Sequence, residues 1–263
     1  MVFRCLLPVV LLAFAASAPA SAIVIRHDVA DVLYRADEAA YPFLFALYRT
    51  RAGHRDCIAT LIAPQWAITA AHCTEDQPFV TALAAPAPAY RVEIGGRPAS
   101  IDRVVRYPSS EGTPRVDIAL LHLSAPLANV SPIAVYPYDD ELGRVVLLPG
   151  WGGFGNGAEG LKTPDGLFRV AENRIDAVHD GRLFWAFDDP RSALGRALPL
   201  EGVSGPGDSG GPALIMTGHG WAIAGVSSAQ RTFNRAQGVY GNEEVYMRLS
   251  DRLDWIAQVT GTH

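Results

Sequence analysis

The sequence predicts an all-β fold, a sandwich or a barrel, closed by one helix near its end. Three observations predict it. Short runs rich in Val and Ile recur, at Phe43–Tyr48, Ile58–Ile62, Trp66–Ala70, Arg103–Tyr107, Ile118–Leu123, Val145–Leu148, Leu167–Val170, Ala213–Met216, Ala222–Val226 and Val245–Arg248. Gly, Pro and Asp separate these runs, and strands at such spacing build sandwiches and barrels. Glycines and prolines also break most windows long enough to hold a helix.

The chain opens with a short charged stretch, Met1 to Arg4, then an apolar run from Leu6 to Ala16 broken only by Pro8. Ala20-Ser21-Ala22 fits the small-residue rule for signal cleavage. A membrane span needs about 20 apolar residues, and this run is shorter. Residues 1–22 are therefore expected to be a secretory signal, and the mature protein to be secreted or periplasmic. Cys5 leaves with that segment, so Cys57 and Cys73 remain. An even count in an exported protein suggests one disulfide, with two buried free thiols as the alternative.

Further along, Ser131 to Gly143 carries prolines and the acidic cluster Asp139-Asp140-Glu141, and reads as a linker between halves. Gly152 to Gly166 is glycine-rich and reads as a mobile surface loop. Near the end, Ser250 can cap a helix, Leu253, Ile256 and Ala257 share a face, and Gly261 can terminate it.

The chain is long enough for one large domain or two smaller ones with a sizeable core. Apolar residues make up 49% and charged residues 19%, an ordinary globular balance. The net charge of −5 argues against a basic face for nucleic acid.

Chemistry concentrates in GVSGPGDSGGPALI, residues 202–215, where five glycines and two prolines surround Asp208 and Ser209. A structural turn needs one or two glycines, so this backbone reads as built to bring N–H groups close to a ligand. His72 follows a strand-like run in Ala70-Ala71-His72-Cys73, and Asp117 opens Asp117-Ile118-Ala119-Leu120-Leu121. A hydroxyl is a poor nucleophile until a base removes its proton. Imidazole suits that task, with an ordinary pKa near 6.5, and a carboxylate can fix its tautomer and stabilise its charged form.

Here the sequence resembles the trypsin/chymotrypsin family of serine proteases. TAAHC at 69–73, DIALL at 117–121 and GDSGGP at 207–212 carry the resemblance, in the family's order. PGWG at 149–152 resembles a further landmark, and the likeness extends from about Ile23 to Ile256. It implies two six-stranded antiparallel β-barrels, one over 23–135 with His72 and Asp117, the other over 136–263 with Ser209 and the C-terminal helix. It implies a secreted endopeptidase with Ser209 as nucleophile, His72 as base and Asp117 as its orienting group. The oxyanion would be held by the N–H groups of Gly207 and Ser209. The resemblance also places a disulfide between Cys57 and Cys73. It implies no cofactor and no metal, a protein or peptide substrate, a protein inhibitor as a further candidate partner, and a monomer free of the membrane once the signal is removed.

In this family Asp208 would accept the ammonium of a freed N-terminus. Ile23-Val24 follows directly on Ala22, so signal cleavage itself would create that terminus. The family's two glycines after Ile-Val are replaced by Ile25-Arg26, which leaves Ile25 open as the true start. For substrate choice, the family's pocket-floor position falls on Val203, six residues before Ser209. Trypsin-like members carry Asp there, so Val203 argues against a straightforward trypsin. Ser228 matches a family Ser near the orienting Asp, and Gln230 replaces a Gly and would narrow the pocket. Glu244 either points into the pocket's rear wall or, if Gly238-Val239-Tyr240 is the matching segment, is exposed. The preferred residue before the cut is thus open between small apolar and basic.

Two rival readings compete. GDSGG at 207–211 also fits the nucleophile elbow of α/β-hydrolases, but only His219 and His263 follow Ser209, and the βαβ alternation of a parallel sheet is absent. A catalytically weak or inactive protease-like binding protein would normally lack one of the three residues, and all three are present.

Overall fold

The computed structural model describes residues 23–48, 55–109, 115–162 and 165–261. The expected signal segment lies outside them. Six strands form one antiparallel sheet, in the spatial order Leu44–Tyr48, Arg55–Ala63, Trp66–Thr69, Ala119–Leu123, Arg97–Arg106, Tyr90–Ile94. Its two edge strands approach one another, so the sheet curls towards closure. Tyr90–Ile94 shows why: Tyr90, Val92 and Ile94 are buried while Arg91 and Glu93 face water, the two-residue alternation of a half-buried strand.

The second curled sheet has eight strands. Its main path runs Arg169–Arg174, Val145–Gly150, Pro212–Thr217, Gly220–Arg231, Glu243–Arg248, Arg182–Ala186, Ala177–His179, and Ala134–Val135 joins Gly220–Arg231 in parallel. The expected all-β pair of barrel-like sheets is therefore present. The second carries more strands than six because the short pieces Ala134–Val135 and Ala177–His179 attach to it. Leu120 and Leu121 of the first sheet share one apolar cluster with Leu214, Ile223 and Val226 of the second. Burying each such side chain contributes roughly 1.5–3 kcal/mol.

A small third sheet orders Gly160–Leu161, Gly155–Asn156, Val24–Ile25 and Gly202–Val203. The glycine-rich loop thus contains two short strands, which seat the N-terminal segment beside the strand leading to Ser209. The expected linker is also anchored. Glu141 is fully buried, where it takes both a bidentate Arg248 and the Ser250 hydroxyl. Ser250 therefore does not cap the helix. Its hydroxyl is spent on Glu141, and a 3-10 turn, Ser250–Arg252, leads into Leu253–Thr260 without a side-chain cap. Gly261 ends that helix as expected, at φ +69°, with its N–H on the Ala257 carbonyl. The helix Gln77–Ala84 is a further element, begun by a proline in its first turn, and nothing in the apolar pattern announced it.

Candidate active site

His72 sits on the 3-10 turn Ala71–Thr74, directly after the strand Trp66–Thr69. Three devices fix that turn. Cys73 is joined to Cys57 with the Cα atoms 6.0 Å apart. The Thr74 hydroxyl donates to the Ala71 carbonyl at 2.7 Å. Arg106 donates from Nε to Thr74 Oγ1 at 2.9 Å and from its terminal nitrogen to the Thr74 carbonyl at 2.7 Å.

Asp117 precedes the strand Ala119–Leu123, which pairs with Trp66–Thr69 in the register Thr69–Ala119. That pairing brings it beside the turn. Asp117 Oδ1 accepts from the His72 backbone N–H at 2.9 Å, and Oδ2 meets the ring Nδ1 at 2.7 Å. An ionised carboxylate only accepts, so Nδ1 carries the hydrogen. Ser228 adds a third donor, its hydroxyl 2.7 Å from Oδ2. Burial alone would raise the Asp117 carboxyl, but the hydrogen bonds from His72 and Ser228 outweigh it and hold the pKa below the usual carboxylate range. The His72 side chain remains 37% exposed and that of Asp117 only 15%. The remaining ring nitrogen, Nε2, carries no hydrogen in this tautomer and lies 3.7 Å from the Cys73 sulfur, which as half of a disulfide has none to donate.

Ser209 lies half-buried on the turn that the glycine-rich stretch makes. Its carbonyl accepts from the Ile58 N–H at 2.7 Å. Gly210, at φ +78°, approaches so closely that a Cβ there would lie 2.2 Å from Thr69 Oγ1 and 3.0 Å from the Ala70 nitrogen. The Ser209 turn is thus seated on the end of the strand that delivers His72. From the other side, the Ser227 carbonyl accepts from Gly210 and the Ser227 N–H donates to Gly211, both at 2.8 Å. Gly207, at φ +100°, is pressed against the main chain of Arg55, whose carbonyl oxygen would be 2.8 Å from a Cβ. Among the described residues, neither the Gly207 nor the Ser209 N–H donates to a main-chain carbonyl.

Asp208 is buried beneath this turn and accepts from Gly152 at 2.6 Å, Gly205 at 2.9 Å and Ile23 at 3.3 Å, all through backbone N–H groups. Burial pushes its carboxyl up to about 6 against those bonds. The glycines of PGWG make room for it: a Cβ at Gly150 would lie 2.1 Å from Asp208 Oδ1, and one at Gly152 2.5 Å from Oδ2. Ile23 reaches Asp208 because Val24 pairs with both Val203 and Gly155.

Val203 is fully buried, packed with Val24 and Phe187, with Tyr240 against them. Glu244 is fully buried, not exposed. It accepts from the Gln230 amide at 2.7 Å and from the Ser204 hydroxyl. Burial pushes it up to about 7 despite those two hydrogen bonds. Ser204 and Arg106 were not singled out from the sequence. Ser204 had one signal, a small polar residue directly after Val203. Arg106 had none, since its role exists only through the fold.

The family model described as Trypsin matches residues 33–256. The chain belongs to the trypsin family. Serine protease 1 of Drosophila melanogaster is 29% identical over 247 residues, covering 87% of this chain and 84% of its own. Serine protease SP24D of Anopheles gambiae is 28% identical over 230 residues, with 84% and 77% covered. Transmembrane protease serine 9 of Rattus norvegicus is 28% identical over 227 residues, covering 83% of this chain but 20% of its own. Membership at this level makes the chain a peptidase-class hydrolase of trypsin-like type. Among the described residues, no helix of this trypsin-family protein is long and apolar enough to cross a membrane.

Proposed function

We propose that this protein is a secreted serine endopeptidase. One observation carries the reading: His72 is held by Asp117 at 2.7 Å, on a turn whose preceding strand also seats the Ser209 turn. Ser209 Oγ attacks the peptide carbonyl while His72 Nε2 takes its proton. Asp117 keeps the hydrogen on Nδ1, which leaves Nε2 as the base, and stabilises the imidazolium that forms. The Gly207 and Ser209 N–H groups receive the oxyanion. Two preorganised donors there serve the transition state, and losing one costs about 3 kcal/mol. His72 then protonates the leaving amine, and water hydrolyses the acyl-enzyme by the same steps reversed.

Activation follows from the Ile23–Asp208 contact. With residues 1–22 removed, Ile23 supplies an ammonium in place of an amide, and the buried Asp208 gains a counter-charge. Ile23 is a β-branched residue at φ +43°, a strained conformation for a residue with a peptide bond before it. Cutting the Ala22–Ile23 bond removes that constraint.

The deciding experiment treats protein beginning at Ile23 with a fluorophosphonate and maps the adduct. A single adduct on Ser209, absent in His72→Ala, supports the reading. A well-folded protein that takes no label points instead to a non-catalytic binding module on the same fold.

A further inference from the structure

The Cys57–Cys73 bridge lies against His72, and the three residues together form a set of metal-ligating atoms. Cys57, His72 and Cys73 offer one donor atom each, all within 4.8 Å of one another. Both cysteines are buried, while the His72 side chain is partly open to solvent. In the oxidised protein the two sulfurs are bonded to each other. Reduced, the same positions carry thiols, and a thiolate is a ligand of choice for soft and borderline cations.

The spacing fits one ion. Tetrahedral zinc takes sulfur at ~2.3 Å and imidazole nitrogen at ~2.0–2.1 Å, which sets sulfur and nitrogen roughly 3.6 Å apart and two sulfurs roughly 3.8 Å apart. His72 Nε2 already lies 3.7 Å from Cys73 Sγ. Only the pair of sulfurs must separate. A recess bordered by Leu47, Phe79 and Tyr90 abuts both cysteines, and it gives a sulfur space to turn about its Cα–Cβ bond.

The imidazole is prepared as metal-bound histidines are. Its Nδ1 hydrogen is on Asp117 at 2.7 Å, and Ser228 braces the same carboxylate oxygen. A carboxylate on the far nitrogen fixes the tautomer that leaves Nε2 free and raises its basicity, the outer-shell arrangement of a zinc histidine. The turn Ala71–Thr74 carries both His72 and Cys73 and is held independently by Arg106. Two of the three ligands therefore stay placed when the bridge opens.

We propose that reduction of the Cys57–Cys73 disulfide turns this corner of the protein into a site for one thiophilic divalent cation, zinc above all, held by Cys57 Sγ, Cys73 Sγ and His72 Nε2 with water in the fourth position. The reductant is a small thiol. Two RSH molecules give up two hydrogens and two electrons, depart as R–S–S–R, and leave two cysteine thiols. The cation displaces both thiol protons to solvent, and its two bonds to sulfur replace the lost cross-link. With Nε2 on the metal, no lone pair remains to take the Ser209 proton. Binding itself is independent of Ser209 being the nucleophile; the loss of activity rests on that reading.

Cobalt(II), whose absorption reports its coordination, is the probe. It is added to protein beginning at Ile23 after a trialkylphosphine has opened the disulfide, taking the oxygen of one water as it becomes phosphine oxide. One equivalent is expected to bind, with the intense visible bands of a tetrahedral ion and a sulfur-to-cobalt charge-transfer band, and zinc should displace it. Unreduced protein should show neither band. His72→Ala keeps both thiols but should bind at least about tenfold more weakly, the least that losing even an outer-shell partner costs. An octahedral spectrum, no binding, or a His72→Ala variant that matches wild type overturns the proposal. Near-ultraviolet circular dichroism of the same samples guards against binding by unfolded chain. Native signal beside the cobalt bands supports the site, and cobalt bands only where that signal is lost overturn it. Fluorophosphonate labelling then joins the site to the chemistry. In reduced protein zinc should block labelling of Ser209 and a chelator should restore it, whereas labelling that persists with zinc bound overturns the ligation by Nε2. If even the oxidised protein takes no label, the nucleophile is removed and the cobalt spectrum still decides the metal site.

Discussion

Asp117 grips His72 at two points, its Oδ1 on the backbone N–H at 2.9 Å and its Oδ2 on the ring Nδ1 at 2.7 Å. The first contact fixes the turn and the second fixes the tautomer. Asp117→Asn preserves the shape but replaces an acceptor-only group with one that donates. The amide then favours hydrogen on Nε2, the nitrogen proposed to act as base. The expected result is a loss in kcat of roughly 10³–10⁴-fold with the melting temperature little changed. Ser228→Ala should act in the same direction but more weakly, since it removes only one of the donors that hold the Asp117 carboxyl low. Steady-state kinetics beside thermal melts check both. A fully active Asp117→Asn would refute the assigned role.

Gly207 tests the oxyanion turn. Its φ of +100° disfavours any side chain, and a Cβ would meet the Arg55 carbonyl oxygen at 2.8 Å. A backbone carbonyl cannot move aside as a flexible side chain can. Gly207→Ala should therefore tilt the turn, cutting kcat by at least about tenfold and costing about 1–3 kcal/mol of stability. KM should move less than kcat, because the donors serve the transition state more than the bound substrate. An alanine variant with unchanged kcat would show that this N–H is not used.

These residues differ in how legible they were. The motifs around His72, Asp117 and Ser209 are local, so the chemistry could be read from short strings. The all-β class was legible too, because alternating strands such as Tyr90–Ile94 and punctuating glycines are local signals. What resisted reading depends on register. Glu244 is buried rather than exposed because Gly220–Arg231 pairs with Glu243–Arg248 across an irregularity between Ser227 and Ala229, and no local pattern encodes that shift. Ser250 had the right type and place for a cap, yet a buried Glu141 far away in sequence captured its hydroxyl. The purpose of the PGWG glycines also stayed hidden, since it is the Asp208 carboxylate, folded in from another segment, that fills the space a Cβ would take.

The N-terminus gives a prediction with a defined pH window. An α-amino group ordinarily titrates near 8. Paired with the buried Asp208, its pKa rises, so the ion pair is intact below the ordinary value and is lost as pH climbs through the raised one. Activity of protein beginning at Ile23 should hold through neutral pH and fall in alkali. One additional residue before Ile23 keeps an amide in that place and should depress kcat strongly. Equal kcat in the extended and trimmed forms would remove the ion pair from the mechanism.

The Cys57–Cys73 bridge should matter for both stability and rate. It closes a loop of 16 residues in sequence separation, which the chain-entropy model values at about 3 kcal/mol. It also ties the His72 turn to the strand whose Ile58 N–H holds the Ser209 carbonyl. Replacing both cysteines with alanine should lower the melting temperature, and kcat should drop even well below that temperature. A double variant that melts earlier but turns over normally when cold would confine the bridge to stability.

Glu244 leaves a signature in stability alone. Its folded-state pKa is raised from 4.5 to about 7, chiefly by burial. A raised value means that the fold favours the protonated form. The stability this group contributes is therefore complete below about pH 4.5 and is lost progressively as pH rises through about 7. Glu244→Gln keeps the shape and the contact with Ser204 but cannot ionise. Relative to wild type, it should gain little in acid and about 3 kcal/mol in mild alkali, with the difference growing across that window. Asp208 and Glu201 are also buried acids with raised values, but they are common to both proteins and cancel in the comparison. Urea denaturation of the two proteins at a series of pH values reads the difference directly. A variant that is equally stable at every pH, or less stable in alkali, would mean that Glu244 is already ionised and compensated in the folded protein.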